Sequence, residues 1–220
     1  MEYSLVPSLP AASWEELESL LQALTGVSVG FQVDLVDGSF APSRSWPFTE
    51  AAAVSDIARL KPYATTYELE IDCMIEQPEQ YLDQLVGIGA SRVIVHYGST
   101  AVWETILSHQ RTHGYLLGLA ITNDIPLAAV TEPLSQVGFV QVMGIATVGA
   151  QGQPFDERTL ETVTTLRAAY PALEIAVDGS VNADTIPRLL AVGANRFAPG
   201  SAISRAVDPV AAYKQLQALL

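Results

Sequence analysis

"GFQVDLVDGSFAP", residues 30–42, is an apolar run that ends in two aspartates and a glycine. Near-continuous apolar runs of this kind are typical of strands buried in a parallel sheet. Asp37, directly before Gly38, indicates a turn after the strand. Asp34 shares its strand face with Gln32, because side chains two residues apart point to the same side. The stretch therefore predicts a buried strand that carries a carboxylate to its end.

Seven further β-rich runs lie along the chain, and patterns typical of helices separate them. The predicted strands are "YSLVPS", "GVSVGFQVDL", "TTYELEI", "SRVIVH", "YLLGLAI", "GFVQVM", "LEIAVD" and "NRFAPG". Eight strand–helix units in 220 residues leave about 27 residues for each, as in a small (β/α)8 barrel. Open doubly wound sheets usually use five or six such strands. The pattern therefore predicts an α/β fold, a (β/α)8 TIM barrel formed by residues 1–220 as a single domain.

Polar residues at the expected helix starts support this alternation. Ser13 and Glu16 form a capping-box pattern before an apolar helix face. Asp208, directly before Pro209, marks the start of the last helix. Such residues satisfy the N–H groups that a first helical turn leaves without partners.

Composition and charge limit the classes of partner. The chain is 49% hydrophobic and 16% charged, which is typical of a globular protein. Its net charge of −13 argues against nucleic acid or an anionic membrane surface as partner. No apolar run approaches the ~20 residues of a membrane span, and the first residues carry no export signal. With Cys73 as its one cysteine, the protein is expected to be cytoplasmic.

Side chains that could bind or react with a substrate stand at the predicted strand ends, where TIM barrels carry their active sites. They are Ser8, Gln32, Asp34, Asp72, His96, Met143 and Asp178. Asp178 in "EIAVDGS" repeats the arrangement of Asp34, and strands two and seven lie nearly opposite each other in such a barrel. Two facing carboxylates suit the removal of a proton from one face of a substrate and its return to the other. A purely structural pair is the alternative.

Small residues in the last three loops indicate a phosphate site. "VGAQGQPF", "DGS" and "PGSAIS" follow strands six, seven and eight, and such loops bind phosphate through backbone amides in many barrels. The candidate residues are Gly149, Gly152, Gly179, Ser180, Gly200 and Ser201. The alternative is that these glycines only close tight turns. His109 and His113 are expected to be solvated surface residues, and Met74 and Met143 are core residues or ligand contacts.

Together these segments resemble the ribulose-phosphate 3-epimerase family along almost the whole chain. "VPSLPAAS" is similar to the family's opening segment, whose serine would be Ser8. "VDLVDGSFAPS" is similar to the Asp-x-Met-Asp-Gly-x-Phe-x-Pro-Asn signature, and "DCMIEQPEQYL" to the segment His-Leu-Met-Ile-x-x-Pro. "VIVHYGS", "GLAITNDIP", "VMGIATVGAQGQPF", "IAVDGSV" and "APGSAIS" follow in family order. The resemblance implies a TIM barrel of the ribulose-phosphate-binding type.

The resemblance also implies an activity, a ketose-phosphate 3-epimerase that interconverts ribulose 5-phosphate and xylulose 5-phosphate through an enediolate. Its partner would be a small phosphorylated sugar, and copies of the chain would associate as a homo-oligomer. Contacts to the sugar phosphate would come from the six loop residues named above and from Ser8, Met74, His96 and Met143. A related decarboxylase activity is disfavoured, because "DLVD" lacks the lysine of the Asp-x-Lys-x-x-Asp signature.

In the family, two histidines and two aspartates bind a divalent metal, and the aspartates also act as acid and base. Asp34 and Asp178 match the aspartates, whereas Gln32 and Asp72 stand at the histidine positions. Three carboxylates and an amide oxygen favour magnesium or manganese over zinc. The loop after strand six also has one extra residue, and Ser180 replaces a glycine. The alternative is a site without metal, in a protein that binds phosphorylated sugars but does not turn them over.

Overall fold

Eight parallel strands alternate with helices in a computed structural model that describes residues 2–49, 54–150 and 152–220. The strands are β1 Ser4–Leu5, β2 Gly30–Val36, β3 Glu68–Met74, β4 Arg92–His96, β5 Leu116–Ile121, β6 Phe139–Met143, β7 Glu174–Asp178 and β8 Arg196–Ala198. Their order in the sheet is β1-β8-β7-β6-β5-β4-β3-β2. All eight predicted strands are therefore confirmed, and so is the TIM barrel.

The barrel closes where the chain after β1 meets β2. The backbone N–H of Leu9 donates to the carbonyl of Gln32 over 2.8 Å, and the N–H of Gln32 donates to the carbonyl of Pro7 over 2.9 Å. Ser8 and Gln32 are paired as a parallel bridge. This closure places Ser8 beside the polar end of β2.

Helices cover the outside of the sheet. They are α1 Trp14–Ala23, α2 Lys61–Ala64, α3 Leu82–Gly87, α4 Trp103–His113, α5 Leu127–Leu134, α6 Arg158–Ala169, α7 Thr185–Ala191, α8 Ser201–Ser204 and α9 Pro209–Gln217, with 3-10 turns at Val54–Leu60 and Pro78–Gln80. A large apolar cluster fills the space between sheet and helices. No helix in the described ranges is long and apolar enough to cross a bilayer.

The predicted helix starts are observed, with one difference. The Ser13 hydroxyl accepts from the N–H of Glu16 at 3.2 Å, and the Asp208 carboxylate accepts from the N–H of Ala211 at 2.9 Å. The Glu16 carboxylate, however, accepts from the N–H of Ala12 instead of that of Ser13. Glu16 therefore fixes the chain one residue before the cap.

The interior of the barrel is layered, because alternate residues of each strand point inward. The bottom layer is an ion network in which Arg92 and Arg196 pair with Glu68, Glu70 and Glu174. The middle layer is apolar and contains Ile94, Ala120, Phe139 and Ala176. The upper layer is polar again and faces the barrel mouth, where β2, β3 and β7 end. The apolar middle layer therefore separates the two charged layers.

Candidate active site

Three buried carboxylates meet in the upper layer. Asp34 on β2, Asp72 on β3 and Asp178 on β7 are at most 6% exposed. One carboxylate oxygen from each lies within 4.8 Å of the other two. β2 and β3 pair with Asp34 beside Asp72, whereas Asp178 reaches the group from across the barrel. The structure thus brings together the facing aspartates Asp34 and Asp178 and the predicted metal ligand Asp72.

Gln32 bridges the two facing aspartates. Its Nε2 donates to Asp34 Oδ1 over 3.0 Å and to Asp178 Oδ2 over 3.2 Å. The Ser8 hydroxyl donates to the other oxygen of Asp34 over 2.8 Å. Oε1 of Gln32 is buried and has no hydrogen-bond partner among the described residues. Gln32 therefore couples the two carboxylates directly.

Asp72 is held by donors from two other strands. His96 Nε2 lies 2.8 Å from Asp72 Oδ1, and Gln141 Nε2 donates to Oδ2 over 2.8 Å. Gln141 is fully buried on β6, and its Oε1 is without a partner in the part of the chain that is described. The sequence prediction did not include Gln141. The available signal was one amide inside the apolar run "FVQVM", two residues before Met143.

Burial shifts the acidity of the facing carboxyls. Desolvation, together with the negative charge of Asp72, raises the pKa of Asp34 to about 7, against hydrogen bonds from Gln32 and Ser8 that lower it. Desolvation also raises the pKa of Asp178 well above its usual value, and the charges of Asp34 and Asp72 add to this effect. A carboxyl with a pKa near neutrality is suited to both releasing and accepting a proton.

The donor set fits a hard divalent ion. Asp34, Asp72 and Asp178 offer closely spaced carboxylate oxygens, and Gln32 and Gln141 add buried carbonyl oxygens without described partners. Oxygen ligands of this kind are those that magnesium, manganese and calcium prefer. Gln32 turns its Nε2 toward the aspartates, so its oxygen joins such a set only after the terminal amide rotates. The four positions predicted as ligands therefore converge, with Gln141 as a fifth neighbour.

A cavity of about 390 Å³ opens above the aspartates. Of the predicted site residues, it is lined by Asp34, Met74, Met143, Gly149, Gly152, Asp178, Gly179, Ser180, Gly200 and Ser201. Ser8 and His96 are buried and contact Asp34 and Asp72 from behind. The predicted phosphate residues and the two facing aspartates thus share one cavity.

Gln153 organises the loop after β6. Its side chain accepts from the N–H of Thr147 at 3.1 Å and donates to the carbonyl of Ala150 over 3.0 Å. The hydroxyl of Ser180 donates to the backbone carbonyl of Gln153, although Ser180 has the left-handed φ of 52° that favours glycine. The loops after β6 and β7 are therefore tied together. Gln151, inside the predicted phosphate segment, lies outside the described residues.

Arg205 is a lining residue that the sequence prediction missed. It follows α8 and contributes to the wall of the cavity. Its Nη1 lies 3.8 Å from the position that a β-carbon on Gly152 would occupy. The signal in the sequence was weak, because the residue comes after the small-residue segment "PGSAIS". Among the described lining residues Arg205 is the one with a positive charge.

Asp37 shapes the turn after β2, as predicted. One carboxylate oxygen accepts from the N–H groups of Ser39 and Phe40 at 2.7 and 3.0 Å. The other accepts from the N–H of Glu76 at 2.9 Å. Asp37 therefore also fixes the loop after β2 to the loop after β3.

Comparison with known proteins gives a consistent result. Residues 4–204 match the sequence model of the ribulose-phosphate 3 epimerase family. The chain is 31% identical to the ribulose-phosphate 3-epimerase of Schizosaccharomyces pombe, over 95% of this chain and 90% of that protein. It is 27% identical to the cytoplasmic isoform of the rice enzyme (Oryza sativa subsp. japonica), over 93% of this chain and 89% of that one.

Solved structures show the same fold. A crystal structure of 3-hexulose-6-phosphate synthase superposes with a TM-score of 0.77 at 21% identity and covers 99% of both chains. A mutant tryptophan synthase α-subunit from Pyrococcus furiosus superposes with a TM-score of 0.75 at 15% identity, over 100% of this chain and 99% of that one. At these identities the likeness concerns the fold alone.

Proposed function

Because the chain belongs to the ribulose-phosphate 3-epimerase family, we propose that it is a ketose-phosphate 3-epimerase that interconverts ribulose 5-phosphate and xylulose 5-phosphate. The observation that carries the proposal is the bridge from Gln32 Nε2 to both Asp34 and Asp178 beneath the cavity. This bridge links two carboxyls that come from opposite sides of the barrel. An inversion at carbon by two-base proton transfer uses such a pair.

In this proposal the two aspartates exchange protons with the third carbon of the sugar. The ionised member of the pair takes the proton from C3, and the bonding electrons move to the carbonyl oxygen to give an enediolate. The other member, protonated, then returns a proton to the opposite face of C3, so that the net charge of the pair is unchanged. A pKa of about 7 at Asp34 suits either protonation state near neutral pH.

Gln32 lets the pair reverse its roles. Hydrogen bonds to a carboxylate favour its ionised form. Because Nε2 of Gln32 contacts one oxygen of each aspartate, it stabilises whichever of the two is ionised. The same residue therefore supports proton abstraction by Asp34 and by Asp178.

The phosphate of the sugar would lie in the part of the cavity formed by the loops after β6 and β7. Gly149, Gly152, Gly179 and Ser180 line it there, and backbone N–H groups in such loops hold phosphate without cationic side chains. Arg205 would add one positive charge beside Gly152. Holding the phosphate orients C3 over the aspartates, which lowers the entropic part of the barrier.

A divalent ion, with manganese and magnesium favoured over zinc, would be held by Asp34, Asp72 and Asp178, and the oxygen of Gln32 would join it only if the amide rotates and gives up the bridge. When bound it supplies positive charge beside the oxygens on which negative charge develops, a contribution of several kcal/mol in many enzymes. Ser8 and His96 would act as positioning residues, since they contact Asp34 and Asp72. In this proposal the protein acts in the cytoplasm.

A second candidate is a phosphosugar-binding protein without turnover. The amide nitrogen of Gln32 between the two aspartates favours it, because this N–H donor already satisfies both carboxylates and its positive end repels a cation. Such a protein would bind the sugar phosphate with the same cavity and phosphate loops but would not catalyse proton transfer.

Proton exchange at C3 of ribulose 5-phosphate in deuterated water, followed by NMR, tests the proposal. The reaction is run with a chelator and then with magnesium, manganese or zinc. Exchange is expected with manganese or magnesium in the unmodified chain and in the control Asp184→Asn, whose aspartate is exposed. It should be lost in Asp178→Asn. Saturable binding of the sugar phosphate without exchange under any metal would support the second candidate instead.

A further inference from the structure

A second group of potential metal ligands lies on the outside of the barrel, at Asp83 on α3 and at His109 and His113 on α4. One ligand atom from each lies within 4.8 Å of the other two. We propose that these three side chains form a site for a zinc-type divalent ion, a class that includes nickel, cobalt and copper. The proposal does not depend on the epimerase activity.

The spacing of the two histidines suits chelation from one helix. "HQRTH" places them four residues apart, so both side chains project from the same face of α4. Their rings are stacked with centroids 4.2 Å apart. The same spacing binds zinc in His-Glu-x-x-His helices, where the glutamate is the general base. Gln110 follows His109 here, so the site lacks that base and would bind an ion without hydrolytic chemistry.

Tyr115 supports His109 from behind. Its hydroxyl lies 3.4 Å from His109 Nδ1, and Tyr115 is itself buried. The other ring nitrogen, Nε2, faces Asp83 Oδ1 at 3.0 Å. A partner on the second ring nitrogen is the arrangement that usually orients a metal-binding imidazole. His109 is therefore held with one nitrogen directed toward the other two ligands.

An ion pair between Asp83 and His109 explains only part of this arrangement. It does not account for His113, whose ring stacks on that of His109. A shared metal ion would accept a nitrogen lone pair from each imidazole and an oxygen lone pair from Asp83. The net charge of −13 also raises the local concentration of cations. A metal ion would engage all three side chains at once.

The required movement is small and falls on exposed side chains. In a tetrahedral zinc site, bonds of about 2.0–2.1 Å place the ligand atoms roughly 3.4 Å apart. In the structure, one ligand atom from each of the three residues lies within 4.8 Å of the other two. The side chain of Asp83 is 89% exposed, and that of His109 is 16% exposed. Asp83 and His113 can therefore close on His109, with water as the remaining ligand.

The outer site and the barrel mouth should prefer different metal ions, because their ligand atoms differ. The mouth offers oxygen donors, which favour magnesium and manganese. The outer site offers two imidazoles and one carboxylate, which favour zinc, nickel, cobalt and copper. Two of the chain's three histidines are in the outer group.

Titration of the untagged, chelator-treated chain with Co²⁺ by visible absorption, and with Zn²⁺ by calorimetry, tests the site. Imidazole ligation of Co²⁺ is expected to give absorption bands in the unmodified chain and in Asp178→Asn, which alters only the mouth. In His113→Ala the affinity should fall at least tenfold. Arg111→Ala is the matched control, because residue 111 lies about 200° around the helix from His109, and its affinity should stay within about twofold.

Melting curves measured without metal show whether His113→Ala loses metal affinity because it is less stable or because it lacks a ligand. His113→Ala and the unmodified chain should melt at the same temperature in chelator, and Zn²⁺ should raise the melting temperature of the unmodified chain more than that of the variant. The proposal is overturned if neither Zn²⁺ nor Co²⁺ binds the unmodified chain with a dissociation constant below about 100 µM, which corresponds to a binding free energy of roughly 5.5 kcal/mol. It is also overturned if Asp178→Asn, and not His113→Ala, removes the binding.

Discussion

His96 Nε2 lies 2.8 Å from Asp72 Oδ1, and both side chains are almost completely buried. With Gln141 on the other oxygen, this contact fixes the direction in which Asp72 faces Asp34 and Asp178. Replacement of His96 by alanine should therefore weaken Mn²⁺ binding at the barrel mouth by about 10–100-fold, the usual cost of removing a residue that orients a metal ligand. Electron paramagnetic resonance of free Mn²⁺ measures the affinity.

His109→Ala is the matched control for this prediction, because it removes a histidine from the outer site. Its Mn²⁺ affinity should equal that of the unmodified chain. An unchanged Mn²⁺ affinity in His96→Ala would show that Asp72 needs no partner from β4.

The raised pKa of Asp34 predicts that the metal-free chain becomes less stable as the pH rises from about 4 to about 7. The pKa changes from 3.8 to about 7 on folding, so in this range the unfolded chain releases a proton that the folded chain keeps. The full loss is roughly 4 kcal/mol above pH 7 and is absent below pH 4. Asp178 acts in the same direction.

Urea unfolding in chelator at pH 5 and pH 7.5 measures this loss. Asp34→Asn should be more stable than the unmodified chain at pH 7.5 and should depend less on pH, whereas Asp184→Asn should follow the unmodified chain. The prediction fails if Asp34→Asn loses as much stability as the unmodified chain between the two pH values.

The fold could be predicted because its signals are local. Each buried strand is a short apolar run between polar segments, and this pattern does not depend on the rest of the chain. One strand limit differs from the prediction: the second predicted strand begins at Gly26, but β2 begins at Gly30, because residues near Gly26, with φ of 76°, form a turn.

The site could be predicted only where a side chain has an evident chemical role. Asp34 and Asp178 stand out as carboxylates at the ends of apolar runs. Gln141 does not, because its partner Asp72 is 69 residues away and only barrel closure brings the two together. Arg205 likewise reaches the cavity only because the chain after α8 folds beside the barrel mouth.

Gly144, directly after β6, has no room for a side chain. A β-carbon there would lie 2.1 Å from the carbonyl oxygen of Gly179, and the N–H of Gly144 donates to the carbonyl of Asp178. Gly144→Ala must therefore displace the end of β7, and the free energy of unfolding should fall by about 1–3 kcal/mol. Activity should fall as well, since Asp178 moves with this strand.

Gly87→Ala is the matched control for Gly144→Ala. Among the described residues, no atom outside its own helix lies within 4 Å of the added β-carbon, and alanine is favoured over glycine in a helix by about 0.5–1 kcal/mol. Thermal unfolding should show a small gain for Gly87→Ala and a loss for Gly144→Ala. Equal stability of the two variants would contradict the close approach of β6 and β7.

Arg205 should contribute to phosphate affinity without taking part in proton transfer. It lines the cavity beside Gly152, so Arg205→Ala should raise the KM for ribulose 5-phosphate about tenfold, the effect of one charge-assisted hydrogen bond worth about 1.5 kcal/mol. The kcat should stay within about twofold. Arg111→Ala, on the exposed face of α4, should change neither constant, and a fall in kcat alone for Arg205→Ala would assign it a different role.

Restoring imidazoles at the mouth should change which metal the site prefers. Gln32 and Asp72 are the proposed ligands at the two positions where the resemblance to the family implies histidine, and both are fully buried. The double variant Gln32→His/Asp72→His should bind Zn²⁺ at least tenfold more tightly relative to Mn²⁺ than the unmodified chain does, because imidazole favours zinc. Competition titrations in a His109→Ala/His113→Ala background, which removes both imidazoles of the outer site, measure the ratio for the mouth alone. A ratio that does not change would mean that residues 32 and 72 are not metal ligands, and the preference of the mouth would then rest on Asp34 and Asp178.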